Sequence, residues 1–252
     1  MRISFVVPAY NEEATLAECI ESILAQTTQL AEPAQIVVVN NASTDRTREV
    51  ALRYPQVTLV DEPRKGLTYA RQAGLAAVDG EIVANVDADS RLTRGWVERV
   101  VRAFAEDREL VCISGPLVYY DLSRTQRAAV AIFYRFAFLI YAMNRWVLRV
   151  GSMVQGGNFA VARRALVKIG GFDTSIAFYG EDTDIARRLS EVGPVRFTLG
   201  LKMFSSGRRL RKEGVMTMAA RYTANYLSTT FLKRPVTSEY IDIREGETVS
   251  RS

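Results

Sequence analysis

Short runs of β-branched and other apolar residues alternate with stretches of helical apolar spacing through the first ninety residues of the chain. Ile3-Ser4-Phe5-Val6-Val7 is followed by a turn at Pro8-Ala9-Tyr10-Asn11. Next, from Glu12 to Gln26, Leu16, Ile20, Ile23 and Leu24 fall on one helical face. Ile36–Val39, Val57–Val60 and Ile82–Val86 repeat the strand pattern. Helices are predicted over about Asp45–Tyr54, behind the cap candidates of Asn40–Asp45, and over Leu67–Val78. This order predicts an α/β protein: a doubly wound, mostly parallel sheet flanked by helices, its parallel strands joined by right-handed crossovers.

Beyond Asp89 the pattern is less regular. A helix is predicted from about Thr93 to Phe104, and Val111–Tyr120 reads as one long strand broken by Gly115-Pro116. Ala128–Val150 is apolar but carries Arg135, Arg145 and Arg149. Gly156-Gly157-Asn158 precedes a short strand, Phe159–Val161, and then a helix containing Leu166 and Ile169. Gly180-Glu181-Asp182-Thr183-Asp184 opens a helix on which Ile185 and Leu189 share a face. Val195–Phe204 is strand-like, and Gly214–Phe231 is predicted to form the last helix before a polar tail, 233–252.

Composition narrows the chemistry. At 252 residues, 48% hydrophobic and 24% charged, the chain is globular, and residues 1–232 are expected to form one large domain. A formal net charge of +5 suits anionic partners, or is simply a solvated surface. There is no histidine, which removes His-based metal sites and Ser-His-Asp catalysis and leaves proton transfer to carboxylates, Lys, Tyr or Cys. Cys19 and Cys112 are far apart and read as small buried hydrophobes in a reducing compartment. The first residues have neither a basic n-region nor a long apolar h-region, so no secretory signal is expected. Ala128–Met143 spans 16 residues and includes Arg135, short of the roughly 20 apolar residues a membrane helix needs.

The polar clusters Pro8–Glu12, Asn40–Asp45 and Asp87–Asp89 each follow a predicted strand. Taken singly, each is ordinary turn and cap chemistry. In a parallel sheet, however, their strand ends meet at one edge, where open α/β sheets bind ligands. Asp87-Ala88-Asp89 is a candidate clip for a hard divalent cation, which prefers carboxylate oxygens.

Together Val7-Pro8-Ala9-Tyr10-Asn11-Glu12-Glu13, Val39–Asp45, the Arg71 segment, Asp87-Ala88-Asp89, Gly156-Gly157-Asn158 and Gly180-Glu181-Asp182 resemble family 2 glycosyltransferases of the GT-A fold. The resemblance covers residues 3 to about 190. It implies a nucleotide-diphospho-sugar transferase fold, with a nucleotide-binding half (1–90) and an acceptor half (91–232), and an inverting transfer assisted by Mg2+ or Mn2+. The acceptor hydroxyl would belong to a glycan, a lipid-linked glycan or a small molecule. The resemblance puts Pro8, Tyr10 and Glu12 around the nucleoside, with Tyr10 as a stacking surface. Asn41 stands where the family often has an Asp that bonds the base. An amide both donates and accepts, so the base stays open. Arg71 would reach the base or the diphosphate, and Asp45, Ala88 and Gly157 complete the donor set. Asp87 would contact the ribose and help Asp89 hold the metal. Asp182, with Glu181 beside it, would supply the general base.

Read from the residues alone, Arg71 also fits a solvated helix face, and Glu181, Asp182 and Asp184 fit acids that favour a helix N-terminus. Ala128–Val150 is either a buried or partner-facing helix or one resting peripherally on a membrane at the cytoplasmic face. The basic run Ser205–Lys212 reads as a loop that could close over a diphosphate, bind an anionic acceptor, or be solvated. A nucleotidyltransferase would need a glycine-rich loop after the first strand, which is absent. A non-catalytic nucleotide-, glycan- or membrane-binding module on the same fold is the alternative, and no nucleic-acid-binding module is recognisable.

Overall fold

The computed structural model describes residues 1–28, 30, 32–143, 153–176 and 180–214. In chain order these form β1 (Ile3–Ala9), α1 (Leu16–Thr27), β2 (Gln35–Asn41), α2 (Thr47–Leu52), β3 (Val57–Glu62), α3 (Leu67–Ala77), β4 (Ile82–Val86), β5 (Ser90–Leu92) and α4 (Trp96–Glu106). They continue as β6 (Cys112–Ser114), β7 (Leu117–Tyr119), α5 (Arg124–Met143), β8 (Asn158–Ala162), α6 (Arg163–Lys168), α7 (Glu181–Ser190), β9 (Val195–Phe197), β10 (Met203–Ser205) and α8 (Arg208–Glu213).

Seven strands make the main sheet in the order β3-β2-β1-β4-β8-β6-β9. β1, β2, β3 and β4 run parallel, as the strand–helix alternation requires; β8 is antiparallel to both of its neighbours. β1, β2 and β4 are buried along almost their whole length, which is why they read as continuous apolar runs. α3 lies so close to the sheet that a Cβ at Gly74 would stand 2.3 Å from Val6 Cγ1.

The expected single strand 111–120 is two strands in two sheets. β6 belongs to the main sheet and β7 to a three-stranded sheet, β5-β10-β7. The strand-like stretch 195–204 divides in the same way, into β9 and β10. The two switching segments cross at Gly115, where a Cβ would meet the Leu201 carbonyl oxygen at 2.1 Å, so only glycine fits. Asn158 secures the crossing. Its Nδ2 donates to the carbonyls of Gly115 (2.9 Å), Pro116 (3.2 Å) and Leu201 (2.8 Å), and its Oδ1 accepts from Trp96 Nε1 (2.9 Å). One amide thereby satisfies the Gly115 and Leu201 carbonyls and adds a second bond to that of Pro116, which also accepts from the Met203 N–H at 3.2 Å.

Helix starts also shift from the expected positions. α1 begins at Leu16 because Glu12 closes a turn first, its carbonyl accepting from the Thr15 and Leu16 N–H groups. α5 begins before Ala128 because Ser123 and Gln126 form a reciprocal capping box: the Gln126 N–H donates to the Ser123 hydroxyl at 3.2 Å and the Ser123 N–H to Gln126 Oε1 at 3.1 Å. α5 buries Val130, Tyr134 and Tyr141 against Leu122, Phe197 and Leu210. The basic run ends in α8 and is not a loop throughout. Arg145, Arg149, the predicted helix 214–231 beyond Gly214, and the tail 233–252 lie outside the described residues. No helix among the described residues is long and apolar enough to cross a membrane. Cys19 and Cys112 are buried free thiols.

Candidate functional site

A cavity of about 550 Å3 opens across the carboxyl ends of β1, β2 and β4. Pro8, Tyr10 and Asn41 line it from the first two strands, and Asp87, Ala88 and Asp89 from the third. Arg71 enters from α3, and Glu181 and Asp182 from the N-terminus of α7. The convergence expected of a parallel sheet edge therefore holds for Pro8, Tyr10, Asn41 and Asp87–Asp89, and Arg71, Glu181 and Asp182 meet them there from helices. Glu12, Asp45 and Gly157 stand just behind the wall.

Those three shape the wall. Asp45 accepts from the Glu13 N–H at 3.0 Å and the Thr47 N–H at 2.9 Å, while the Thr47 hydroxyl oxygen accepts from the Glu12 N–H at 2.7 Å. The loop after β1 is thereby tied to the loop after β2. Gly157 has φ +74°, and a Cβ there would lie 2.2 Å from Asp87 Oδ2. Only glycine lets the Asp87 carboxylate rest against this backbone. Asn41 uses its amide locally: Nδ2 donates to the carbonyls of Glu62 (3.1 Å) and Arg64 (2.6 Å), and Oδ1 accepts from the Gly66 N–H (2.8 Å). It holds the loop between β3 and α3, whose Lys65 ammonium sits 4.4 Å from the centre of the Tyr10 ring.

Arg71 is fully buried, not a solvated helix face. Its guanidinium lies 3.3 Å from Asp87 Oδ1, pairs closely with Glu181, and stands 5.3 Å from the centre of the Phe159 ring. It therefore joins the strand-end acid of β4 to the first residue of α7. Burial pushes Glu181 up to about 7, against the pull of Arg71. Asp182, half-buried beside it, is also raised, chiefly by burial. Its Oδ1 accepts from the Thr183 N–H at 2.8 Å. A carboxylate lifted this way is a better proton acceptor near neutral pH than a solvated one.

Asp89 has a partner that the residue pattern did not single out. Arg208 Nη2 donates to Asp89 Oδ2 at 3.1 Å and to both oxygens of Glu12, at 2.6 and 2.8 Å. Burial, then Glu12 and Asp87, push Asp89 up to about 6 while Arg208 pulls it down. Nothing in the run Arg208-Arg209-Leu210-Arg211-Lys212 distinguishes the first arginine from the others. Its place just after β10, the strand beside β5, is the only signal, and β5 itself was not predicted.

Among the described residues, no group of three or more His, Cys, Asp or Glu is arranged to hold a metal. Asp87 and Asp89 nevertheless offer hard oxygen donors on the cavity wall. That donor set fits Mg2+ or Mn2+ held by one or two carboxylates together with substrate phosphate and water; it does not fit an all-protein cage.

A mostly parallel sheet with an acid-lined cleft over its strand ends is the GT-A arrangement of nucleotide-sugar transferases. The chain belongs to glycosyltransferase family 2: the family model described as Glycosyl transferase family 2 matches residues 4–170. It is 27% identical over 190 residues to the glucosyl-dolichyl phosphate glucuronosyltransferase of Haloferax volcanii, 72% of this chain and 59% of that protein. It is 30% identical over 129 residues to glycosyltransferase GlyA of Streptococcus pneumoniae, 50% of this chain and 18% of that protein. The chain thus spans less than two thirds of these relatives' own length.

Among solved structures, the mannosyltransferase PcManGT of Pyrobaculum calidifontis, in complex with GDP-Man and Mn2+, shares the fold with a TM-score of 0.67 at 24% identity, covering 92% of this chain and 63% of that one. Glucosyl-3-phosphoglycerate synthase of Mycobacterium tuberculosis, with Mn2+, UDP and phosphoglyceric acid, gives a TM-score of 0.60 at 23% identity over 90% of this chain and 77% of that one.

Proposed function

We propose that the chain transfers a glycosyl group from a nucleotide-diphosphate sugar to an acceptor hydroxyl, with inversion. The observation that carries this reading is that Asp182, its pKa raised by burial, lines the same cavity as Asp87 and Asp89. Pro8 and Tyr10 line the nucleoside end, and Asn41 shapes it through the loop it holds. Asp87 meets the ribose. Asp87 and Asp89 would hold Mg2+ or Mn2+, which when bound neutralises charge on the departing diphosphate. Asp182 takes the proton from the acceptor hydroxyl. That oxygen attacks the anomeric carbon from the face opposite the diphosphate; its new bond forms as the bond to the diphosphate oxygen breaks and the diphosphate leaves with the electron pair. In this scheme Arg71 works through the two carboxylates it holds.

Asp182→Asn is expected to lower transfer by about 100- to 10,000-fold while leaving nucleotide-sugar binding within a few-fold. The check is a panel of nucleotide-sugars tested with Mn2+ for binding by calorimetry and for transfer by product analysis. Transfer at near-parental rate in this variant removes the base assignment. A chain that binds no nucleotide-sugar in the panel fits a non-catalytic glycan-binding module instead.

The exposed stripe of α5 supports a second element of the reading, a peripheral membrane contact. Ile132, Phe136, Leu139 and Met143 are 51%, 63%, 62% and 50% exposed, and Arg124, Arg127 and Arg135 are exposed on the same helix, which has no acid. Such a helix suits an anionic lipid surface. Co-sedimentation with vesicles containing phosphatidylglycerol should drop at least several-fold in Phe136→Glu/Leu139→Glu; equal sedimentation of the variant argues against the contact.

A further inference from the structure

Arg208 places a positive charge where the proposed metal would need a free ligand. Its Nη2 shares one site among both oxygens of Glu12 and Oδ2 of Asp89, at 2.6, 2.8 and 3.1 Å. The Glu12 side chain is only 1% exposed and that of Asp89 17%, so the two acids need a counter-cation nearby. The chain supplies it.

The mount of this arginine is fixed but its head is not fully satisfied. Asp121 accepts from the Ser206 hydroxyl (2.7 Å) and the Gly207 N–H (2.5 Å), and a Cβ at Gly207 would run into Leu122 at 2.6 Å. The backbone that carries Arg208 is therefore held by its neighbours. Arg208 Nε, by contrast, is buried without a hydrogen-bond partner, and the side chain lines the cavity. A buried donor left unpaired is costly, and a turn of the side chain alone would bring it to a new acceptor. Diphosphate oxygens in the cavity are such acceptors, and the planar guanidinium fork matches them.

Resting on the assignment of Asp89 to the metal, we propose that Arg208 is an internal counter-cation that competes with the divalent metal for Asp89 and is released to the diphosphate when metal and nucleotide arrive together. Metal alone must displace the guanidinium from Asp89 and leave it with Glu12 as its one acid. Metal with a nucleoside diphosphate gives the guanidinium a phosphate in exchange. The two ligands therefore bind with positive coupling, and the size of that coupling is set by Arg208.

The test is Mn2+ binding to the full chain, followed by the loss of the free Mn2+ electron paramagnetic resonance signal, with and without UDP or GDP. Wild type, Arg208→Gln, Arg208→Lys and Asp89→Asn are compared. Arg208→Gln is expected to bind Mn2+ alone roughly 10-fold more tightly than wild type and to lose most of the gain that the nucleoside diphosphate gives wild type. Arg208→Lys, which keeps the charge, should stay close to wild type for Mn2+ alone. An Asp89→Asn variant that loses Mn2+ while Arg208→Gln binds it no better than wild type overturns the inference alone. Mn2+ binding that survives Asp89→Asn overturns the metal assignment and the inference with it.

Discussion

Two arginines flank Asp87-Ala88-Asp89, and each joins two carboxylates that are remote in sequence. Arg71 pairs Asp87 with Glu181, and Arg208 pairs Asp89 with Glu12. The chemistry of the contacts is the same; their anchoring differs. Arg71 comes from α3, an 11-residue helix held against β1 and β2 at Gly74, and its side chain is 0% exposed. Arg208 comes from α8, six residues long, on the rim of the cavity, and its side chain is 22% exposed. A guanidinium sealed in the core is part of the wall, because it has no water of its own to turn to. One at the rim can exchange partners with whatever enters the cavity. Identical ion pairs thus serve different ends according to what packs behind them.

The largest effect should come from breaking the sealed pair. Arg71→Met leaves Glu181 buried without its cation and is expected to cost about 3–5 kcal/mol, the range for removing one partner of a buried pair. Urea denaturation of the variant against wild type at pH 8, above the folded pKa of Glu181, measures it. A cost under about 1 kcal/mol would mean that Glu181 simply takes up a proton or finds water, and the contrast with Arg208 would then lose its structural half.

A smaller effect, with a sign of its own, belongs to Glu181. Its folded pKa is raised to about 7 from the ordinary 4.5, so between these values the folded chain holds a proton that the unfolded chain has released. Protons bound are then fewer in the unfolded state, and unfolding free energy falls as pH rises through that window. Glu181→Gln cannot titrate. Its stability relative to wild type should therefore improve from pH 5 to pH 8, as read from denaturation midpoints at each pH. A gap that stays constant instead would mean that Arg71 holds Glu181 ionised throughout.

The legible and the hidden parts of the molecule divide along the same line as the arginines. β1, β2 and β4 could be read from their apolar runs because each is buried on both faces, and the acids after them followed from chain order alone. The crossing at Gly115 could not, since Gly115-Pro116 marks a break in Val111–Tyr120 and only contacts with Leu201 and Asn158 decide that its two halves feed two sheets. Arg71 and Arg208 look equally solvated by composition. Their burial depends on Phe159 and Glu181 in one case and on Glu12 in the other, at separations no local pattern encodes. Asn41 and Gly157 were singled out by the motif that contains them. Their observed contacts are with the protein's own loop and with Asp87.

The smallest effect discriminates best. Arg208→Gln should cost only about 1–2 kcal/mol, in the range of lost hydrogen bonds to charged groups, because Asp89 at the rim keeps some access to water. Asp89, already raised to about 6, rises further once the guanidinium that lowers it is gone. Mn2+ should then return much of the lost stability, since it binds the folded acids and not the unfolded chain. The same Mn2+ should return little to Arg71→Met, because it can take over Asp87 but not the buried Glu181 that the arginine also held. Thermal denaturation of both variants with and without Mn2+ makes the comparison. Rescue of both would show that the metal stabilises the fold as a whole, and rescue of neither that Arg208 is as firmly built in as Arg71.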